Sequence, residues 1–297
     1  MAEQRLVDAK GLSLVARMEL VARKAVEGVL SGVHPSPYFG SSIEYADHRP
    51  YTIGDEIRTI DWKLLAKTDK HYVKLFEEQT NTRCTVLLDT SRSMSFKGDG
   101  PMDKLTYGMF LTAALGYMAL KQNDAVGLAM FDRQVNHHLP ARATARHFRH
   151  MLEQMQQTQA GADTAIGPVL HDLAGKMPPR GVVILISDLL DDLDAIVDGL
   201  AHFKHLRHEV IVFHLMDPAE RHFPYDKMTR FRDIEGAGSV IANPHDVKKA
   251  YMRRLTAFMD KMRRLCLERD IGYQLAQTDQ GYAQMLSAFL SRRAKLR

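Results

Sequence analysis

The sequence predicts an α/β fold: a doubly wound, mostly parallel sheet with helices on both faces, preceded by an N-terminal helix and an irregular extension. Two observations predict it. From residue 83 onward, short β-branched runs alternate with helical windows, which is the rhythm of strand–helix–strand crossovers. The runs TVLL and VVILI are apolar without alternation, as central strands covered on both faces must be. Composition agrees, because 297 residues with 45% hydrophobic and 26% charged side chains and a formal charge of +4 exclude a disordered chain. Two distant cysteines, Cys84 and Cys266, exclude a disulfide scaffold and suit a reducing compartment, so a cytoplasmic location is expected.

The elements follow in order. Residues 10 to 31 read as an amphipathic helix, with Leu14, Met18, Val21, Ala25 and Val29 at steps of three and four. Gly32 to about Gln79 is rich in Gly, Pro, aromatic and charged residues and reads as a long, mostly irregular segment. Strands are then expected at 85–89, 125–131, 182–188, 209–217 and 273–277. Helices are expected near 102–121, 144–157, 165–176, 192–207 and 246–269, with one more at the end. Residues 218–243 break the rhythm and read as a small β insertion. The chain thus divides into 1–82, packed on the main domain, and 83–297. No window approaches the length of an apolar membrane span, and a charge of +4 is too slight to imply nucleic acid.

In such a sheet ligands bind beyond the carboxyl ends of the strands. The first central strand ends in Asp89-Thr90-Ser91-Arg92-Ser93, of the form D-x-S-x-S, which places a carboxylate and two hydroxyls on one tight loop. Three hard oxygens suit Mg²⁺ or Mn²⁺, although Ser91 and Ser93 could instead cap the following turn. Thr164 lies in the loop GADT before a helix, and Asp188 closes the next strand, so both are expected at the same crevice. Asp191, Asp192 and Asp194 read as the start and cap of the helix that follows.

This set resembles the metal-ion-dependent adhesion site of von Willebrand factor A domains. The resemblance implies that Ser91, Ser93 and Thr164 contact a metal through hydroxyls, that Asp89 and Asp188 act largely through waters, and that one position stays open for a partner's carboxylate. Two neighbours depart from that pattern, Asp163 and Leu189, where the family often has glycine. The words Gly32-x-His34-x-Ser36, Gly40-Ser41-Ser42-x-Glu44-Tyr45, Arg49-Pro50-Tyr51 and Gly54-Asp55-x-x-Arg58-x-Ile60-Asp61-Trp62 resemble the bacterial "domain of unknown function 58" family. That resemblance implies association with ATPases of the MoxR branch of the AAA+ class. Arg49, Asp55, Arg58, Asp61 and Trp62 are then either a partner surface or a short helix with a local ion-pair network, anchored by the chain's one tryptophan.

The expected function is therefore a metal-dependent interaction module that helps a MoxR-type ATPase act on a client, and not an enzyme. Two alternatives stay open. A metal with a free position could activate water in a phosphatase or hydrolase, although Ser91 stands where a haloacid-dehalogenase-type phosphatase needs a second Asp. A metal-free scaffold could retain D-x-S-x-S for capping alone.

Overall fold

A computed structural model describes residues 13–32, 44–52, 62, 64–65, 72–77, 82–161, 163–232 and 238–287. The chain divides into two compact units, Met1–Pro35 with Arg83–Arg297, and Ser36–Thr82.

The larger unit opens with α1 (Leu14–Gly32), followed after the second unit by β3 (Arg83–Asp89), a 3₁₀ turn (Arg92–Ser95), α2 (Lys104–Lys121), β4 (Ala125–Phe131) and β5 (Val135–Arg142). Next come α3 (Ala145–Gln157), α4 (Ile166–Lys176), β6 (Gly181–Ser187), α5 (Leu193–His205), β7 (His208–Met216) and α6 (Pro218–His222). A small β8 (Thr229–Arg232), β9 (Ser239–Ala242) hairpin leads into α7 (Pro244–Glu268) and β10 (Gly272–Gln277), and residues 282–287 are again helical. The six-stranded sheet has the order β10-β7-β6-β3-β4-β5, parallel except for β5. Counted along the chain this is 6-5-4-1-2-3, a doubly wound order whose direction reverses between β3 and β6. The predicted α/β class, the central strands and the insertion hairpin are all present.

Alternation along the central strands sends side chains into two cores. On one face Leu87, Phe131, Leu185 and Val212 meet Leu170 of α4, Leu200 and Phe203 of α5, and Met262 and Cys266 of α7. On the other, α2 lies so close that a Cβ on Gly108 would come within 3.0 to 3.4 Å of Leu88, Leu215 and Ile186. That helix is apolar on almost every side, because α1 covers its outer surface with Met18, Ala22, Val26 and Val29. The amphipathic stripe of α1 thus does what its spacing predicts.

The sequence reading did not anticipate β5. VNHHLPAR carries few apolar residues and a proline, yet it sits at the sheet edge, antiparallel to β4, where half its surface faces water and Pro140 loses no essential ladder bond.

In the smaller unit, β1 (Glu44–Pro50) pairs antiparallel with β2 (Tyr72–Glu77), so the segment read as mostly irregular contains a hairpin, with Arg49 opposite Val73. Trp62 is 59% exposed, which corrects the expectation that it is a buried packing anchor. Asp55, Arg58 and Asp61 lie outside the described residues.

Candidate metal centre at the strand ends

The reversal point between β3 and β6 is where the two following connections diverge to opposite faces and leave a crevice. Asp89 ends β3 inside it and is fully buried. Its Oδ1 accepts the backbone N–H of Ser91 at 2.8 Å, and its Oδ2 accepts the Ser187 hydroxyl at 2.6 Å. Ser187 in turn accepts the N–H of Leu189 at 2.9 Å, which ties the ends of β3 and β6 together. Burial first, then the negative charge of Asp188, push the Asp89 carboxyl from 3.8 up to about 7, against the opposing pull of its hydrogen bonds from Ser187 and Ser91.

The D-x-S-x-S turn is fixed from below: the Thr90 N–H and hydroxyl both donate to the Phe131 carbonyl, at 2.7 and 2.9 Å. Ser91 occupies the N-cap position of the 3₁₀ turn but makes no capping hydrogen bond with its side chain. Its hydroxyl instead lies 3.1 Å from that of Ser93, and both residues are buried. The capping alternative therefore fails for Ser91, because the hydroxyl that would cap is turned toward the crevice residue beside it.

The loop carrying Thr164 is drawn in by backbone bonds from Gly161 to Thr90 at 2.7 Å and from Ala165 to Asp132 at 3.3 Å. The Thr164 hydroxyl is buried and has no hydrogen-bond partner among the described residues. Its neighbour Asp163 pairs with Arg133, which offsets its charge. Of the helix-start aspartates, Asp192 caps α5 through the Ala195 N–H at 2.8 Å, as expected, and Asp194 pairs with Lys261. Asp191 has a different task, because one oxygen accepts the N–H of Ile166 at 2.7 Å and so caps α4.

Asp188 follows β6 and is buried, and here a residue not anticipated from sequence takes part. Lys104 Nζ lies 2.7 Å from Asp188 Oδ2 and 2.8 Å from Glu220 Oε1, with the Lys104 and Asp188 side chains only 1% and 2% exposed. Burial alone would lower the lysine's pKa, but the two carboxylates outweigh it and hold Lys104 protonated, above its ordinary 10.5. A lysine in the first turn of a helix opposes the helix dipole, and that local oddity was the available signal. His214 of β7 lies beside this pair, with Nδ1 2.7 Å from the Tyr273 hydroxyl. Burial, only partly opposed by Asp188, pushes it down to about 4, so it is neutral at pH 7.

A second unanticipated residue is Asp217, which closes β7 as Asp188 closes the run before it. It is fully buried and accepts N–H bonds from Gly98, Asp99 and Gly100 at 3.0 to 3.1 Å and from Ala219 at 2.8 Å. A side chain on Gly98 or Gly100 would run into this carboxylate, which explains both glycines of the loop that follows the serines. Glu220 completes a capping box by accepting the Asp217 N–H at 2.8 Å, and its other oxygen is the one held by Lys104.

The donor set suits a hard divalent cation: three hydroxyls not engaged in capping, one of them an orphan, beside two buried carboxylates that repel each other. Among the described residues no three His, Cys, Asp or Glu side chains cluster as ligands, so any such ion would depend on the hydroxyls. No described helix is long and apolar enough to cross a membrane.

The chain is 25% identical over 220 residues to the uncharacterized protein Rv1480 of Mycobacterium tuberculosis, covering 73% of this chain and 68% of that one. It is 26% identical over 169 residues to the uncharacterized protein YeaD of Bacillus subtilis, covering 56% of this chain and 40% of that one. Among solved structures it is similar to the conserved hypothetical protein BatB of Bacteroides thetaiotaomicron, at 16% identity and a TM-score of 0.47 over 72% of this chain and 99% of that one. It is similar also to the SpRpn10 VWA domain, at 13% identity and a TM-score of 0.40 over 70% of this chain and 94% of that one. The family model described as "Protein of unknown function DUF58" matches residues 47–260, which is most of the chain and takes in most of the hairpin unit, the D-x-S-x-S turn and the strand-end aspartates: the chain belongs to this family.

Proposed function

We propose that this chain is a non-catalytic protein-interaction module that presents a Mg²⁺ or Mn²⁺ ion to a carboxylate of a client, and that it serves as an adaptor of a MoxR-type AAA+ ATPase. The observation that carries the reading is the set of buried hydroxyls at the reversal point of the sheet: Ser91 and Ser93 engage each other, and Thr164 engages nothing among the described residues. Leaving a buried hydroxyl unpaired costs about 1 to 3 kcal/mol, which a ligand would recover.

Ser91, Ser93 and Thr164 would hold the ion, with Asp89 and Asp188 supplying charge behind them. A hard divalent ion with an incomplete oxygen shell takes up an additional carboxylate. Thr90 fixes the serine turn to β4 through two bonds to one carbonyl, and Ser187 fixes Asp89 to β6, so the donors are held in place before any ion arrives. Lys104 cancels part of the charge of Asp188 and Glu220, so the site stays short of negative charge and favours an acidic partner over a neutral one. The ATPase assignment is supported by the family resemblance, and the nucleotide chemistry would belong to the ATPase.

Calorimetric titration with Mn²⁺ tests the metal. Wild type should bind at micromolar to millimolar concentration, and Asp89→Ala or Ser91→Ala with Ser93→Ala should not. Equal heats from wild type and folded variants would sink the site. Mixing the chain with a MoxR-type ATPase from the same source tests the adaptor role, and the serine double variant is the cleaner control, since a chelator also strips the nucleotide's metal. Metal-dependent turnover of a phosphoester by the isolated chain would transfer the reading to the enzyme class.

A further inference from the structure

Beside the strand-end crevice, at the carboxyl ends of β6 and β7, lies a cavity of about 450 Å³ between residues 188–191 and α7. The larger part of its wall surface is apolar, from Leu215 and Met216 of β7, Leu255 and Phe258 of α7, and Leu190 of the loop. The backbone turns sharply at Leu189, whose φ of 57° sends that side chain into the core and leaves Leu190 53% exposed at the lip. The carboxylates that reach the cavity are already engaged by the protein's own donors. Asp188 and Glu220 share Lys104, and Asp191 accepts the N–H groups of Ile166 and Asp192, both at 2.7 Å.

The cation at the cavity's edge is not compensated. Arg254 is exposed and has no ion-pair partner among the described residues, nor do its exposed neighbours Lys249 and Arg253. Helix α7 carries seven Lys and Arg against three Asp and Glu, a surplus of four, equal to the net charge of the whole chain. Over the rest of the sequence Lys and Arg equal Asp and Glu in number. Arg253 and Arg254 thus leave unpaired positive charge on the helix that walls the cavity.

We propose that this cavity and the basic face of α7 form a docking surface for an acidic peptide segment of a partner protein, with a bulky apolar side chain entering the leucine-lined cavity and flanking Asp or Glu residues meeting Arg253 and Arg254. Nucleic acid fits less well, because a phosphate backbone needs cations but has no use for an apolar cavity beside them. The inference rests on the reading above only in that a carboxylate of the same segment would lie next to the ion; the cavity and the arginines stand without it.

The test is selection from a random linear peptide phage library on the full chain, once with Mg²⁺ and once with chelator. Fluorescence anisotropy then compares the selected peptides on wild type, Leu190→Asp, Arg253→Glu with Arg254→Glu, and Asp89→Ala, each checked for folding by its thermal melt. Leu190, Arg253 and Arg254 are exposed, so these variants should melt as wild type does. The expected consensus is a bulky apolar residue among Asp and Glu, with at least tenfold weaker binding to both the leucine and the arginine variants. A consensus lacking either feature, peptides that bind all variants equally, or no selected peptide at all would overturn the proposal. So would a DNA duplex that displaces the peptides and is insensitive to Leu190→Asp. Peptides lost on Asp89→Ala but indifferent to Leu190→Asp would keep the metal reading and remove the docking surface. Peptides won in chelator that still need Leu190 would do the reverse.

Discussion

Two strand-end aspartates, both fully buried, lead opposite lives. Asp217 accepts four backbone N–H bonds, and its carboxylate serves as the knot between α6 and the loop at residues 98–100. Asp89 accepts one N–H and one hydroxyl, faces a second carboxylate, and is pushed up to about 7. A buried charge surrounded by donors needs nothing further; one that is short of donors and close to a like charge calls for a cation. The comparison shows why an aspartate at a strand end does not by itself mark a site: what marks it is the balance left after the protein's own bonds are counted.

Lys104 connects the two regions, since it holds Asp188 on the Asp89 side and Glu220 on the Asp217 side. Lys104→Met should therefore give the largest effect, a loss of about 3 to 5 kcal/mol, because it strands buried carboxylates without their cation. Urea melts would measure it, and Asp188→Asn in the same chain should restore part of the loss. Mg²⁺ should also raise the melting temperature of Lys104→Met more than that of wild type, since the freed Asp188 charge would welcome the ion. A Lys104→Met variant as stable as wild type would break the link between the two regions.

The same substitution at the two aspartates should have opposite signs. Asp217→Asn puts an NH₂ group where backbone N–H groups point, and should cost about 2 to 4 kcal/mol. Asp89→Asn removes a poorly supported charge, and in chelator at pH 8 it should be neutral or gain about 1 kcal/mol, while losing the response to Mn²⁺. The pH dependence fixes the sign. Because the folded pKa of about 7 lies above the ordinary 3.8, the folded chain keeps a proton the unfolded chain has lost; wild-type stability from this group therefore falls as pH rises through 7. The advantage of Asp89→Asn should accordingly shrink on acidification. Equal and large losses from both substitutions would mean that Asp89 is as structural as Asp217.

The central strands and the serine turn were legible because they are local: apolar runs of four and five residues and a five-residue motif carry their meaning within one window. The Lys104–Asp188 pair was not, because its partners are 84 positions apart and only the sheet order brings them together. Edge strand β5 was missed for a different reason, since a half-solvated strand lacks the apolar signal on which strand reading depends. Trp62 misled because size was taken as a proxy for burial, yet it is largely exposed. The family pattern at residue 189 was legible as an anomaly, leucine in place of glycine, but its meaning needed the backbone.

That meaning supplies the smallest predicted effect. Leu189 stands at φ 57°, the left-handed region where a side chain costs roughly 1 to 2 kcal/mol, and it remains there because its side chain is completely buried in the core beneath α4 and α5. Replacing it by alanine forfeits that burial but keeps the strain, whereas glycine forfeits slightly more side chain and removes the strain. Leu189→Gly should therefore be more stable than Leu189→Ala by about 1 kcal/mol, the reverse of the usual order, with both below wild type. Urea midpoints of the three proteins decide it. If alanine proves the better replacement, the turn after Asp188 is relaxed, and the side chain at 190 reaches the cavity lip without help from a strained neighbour.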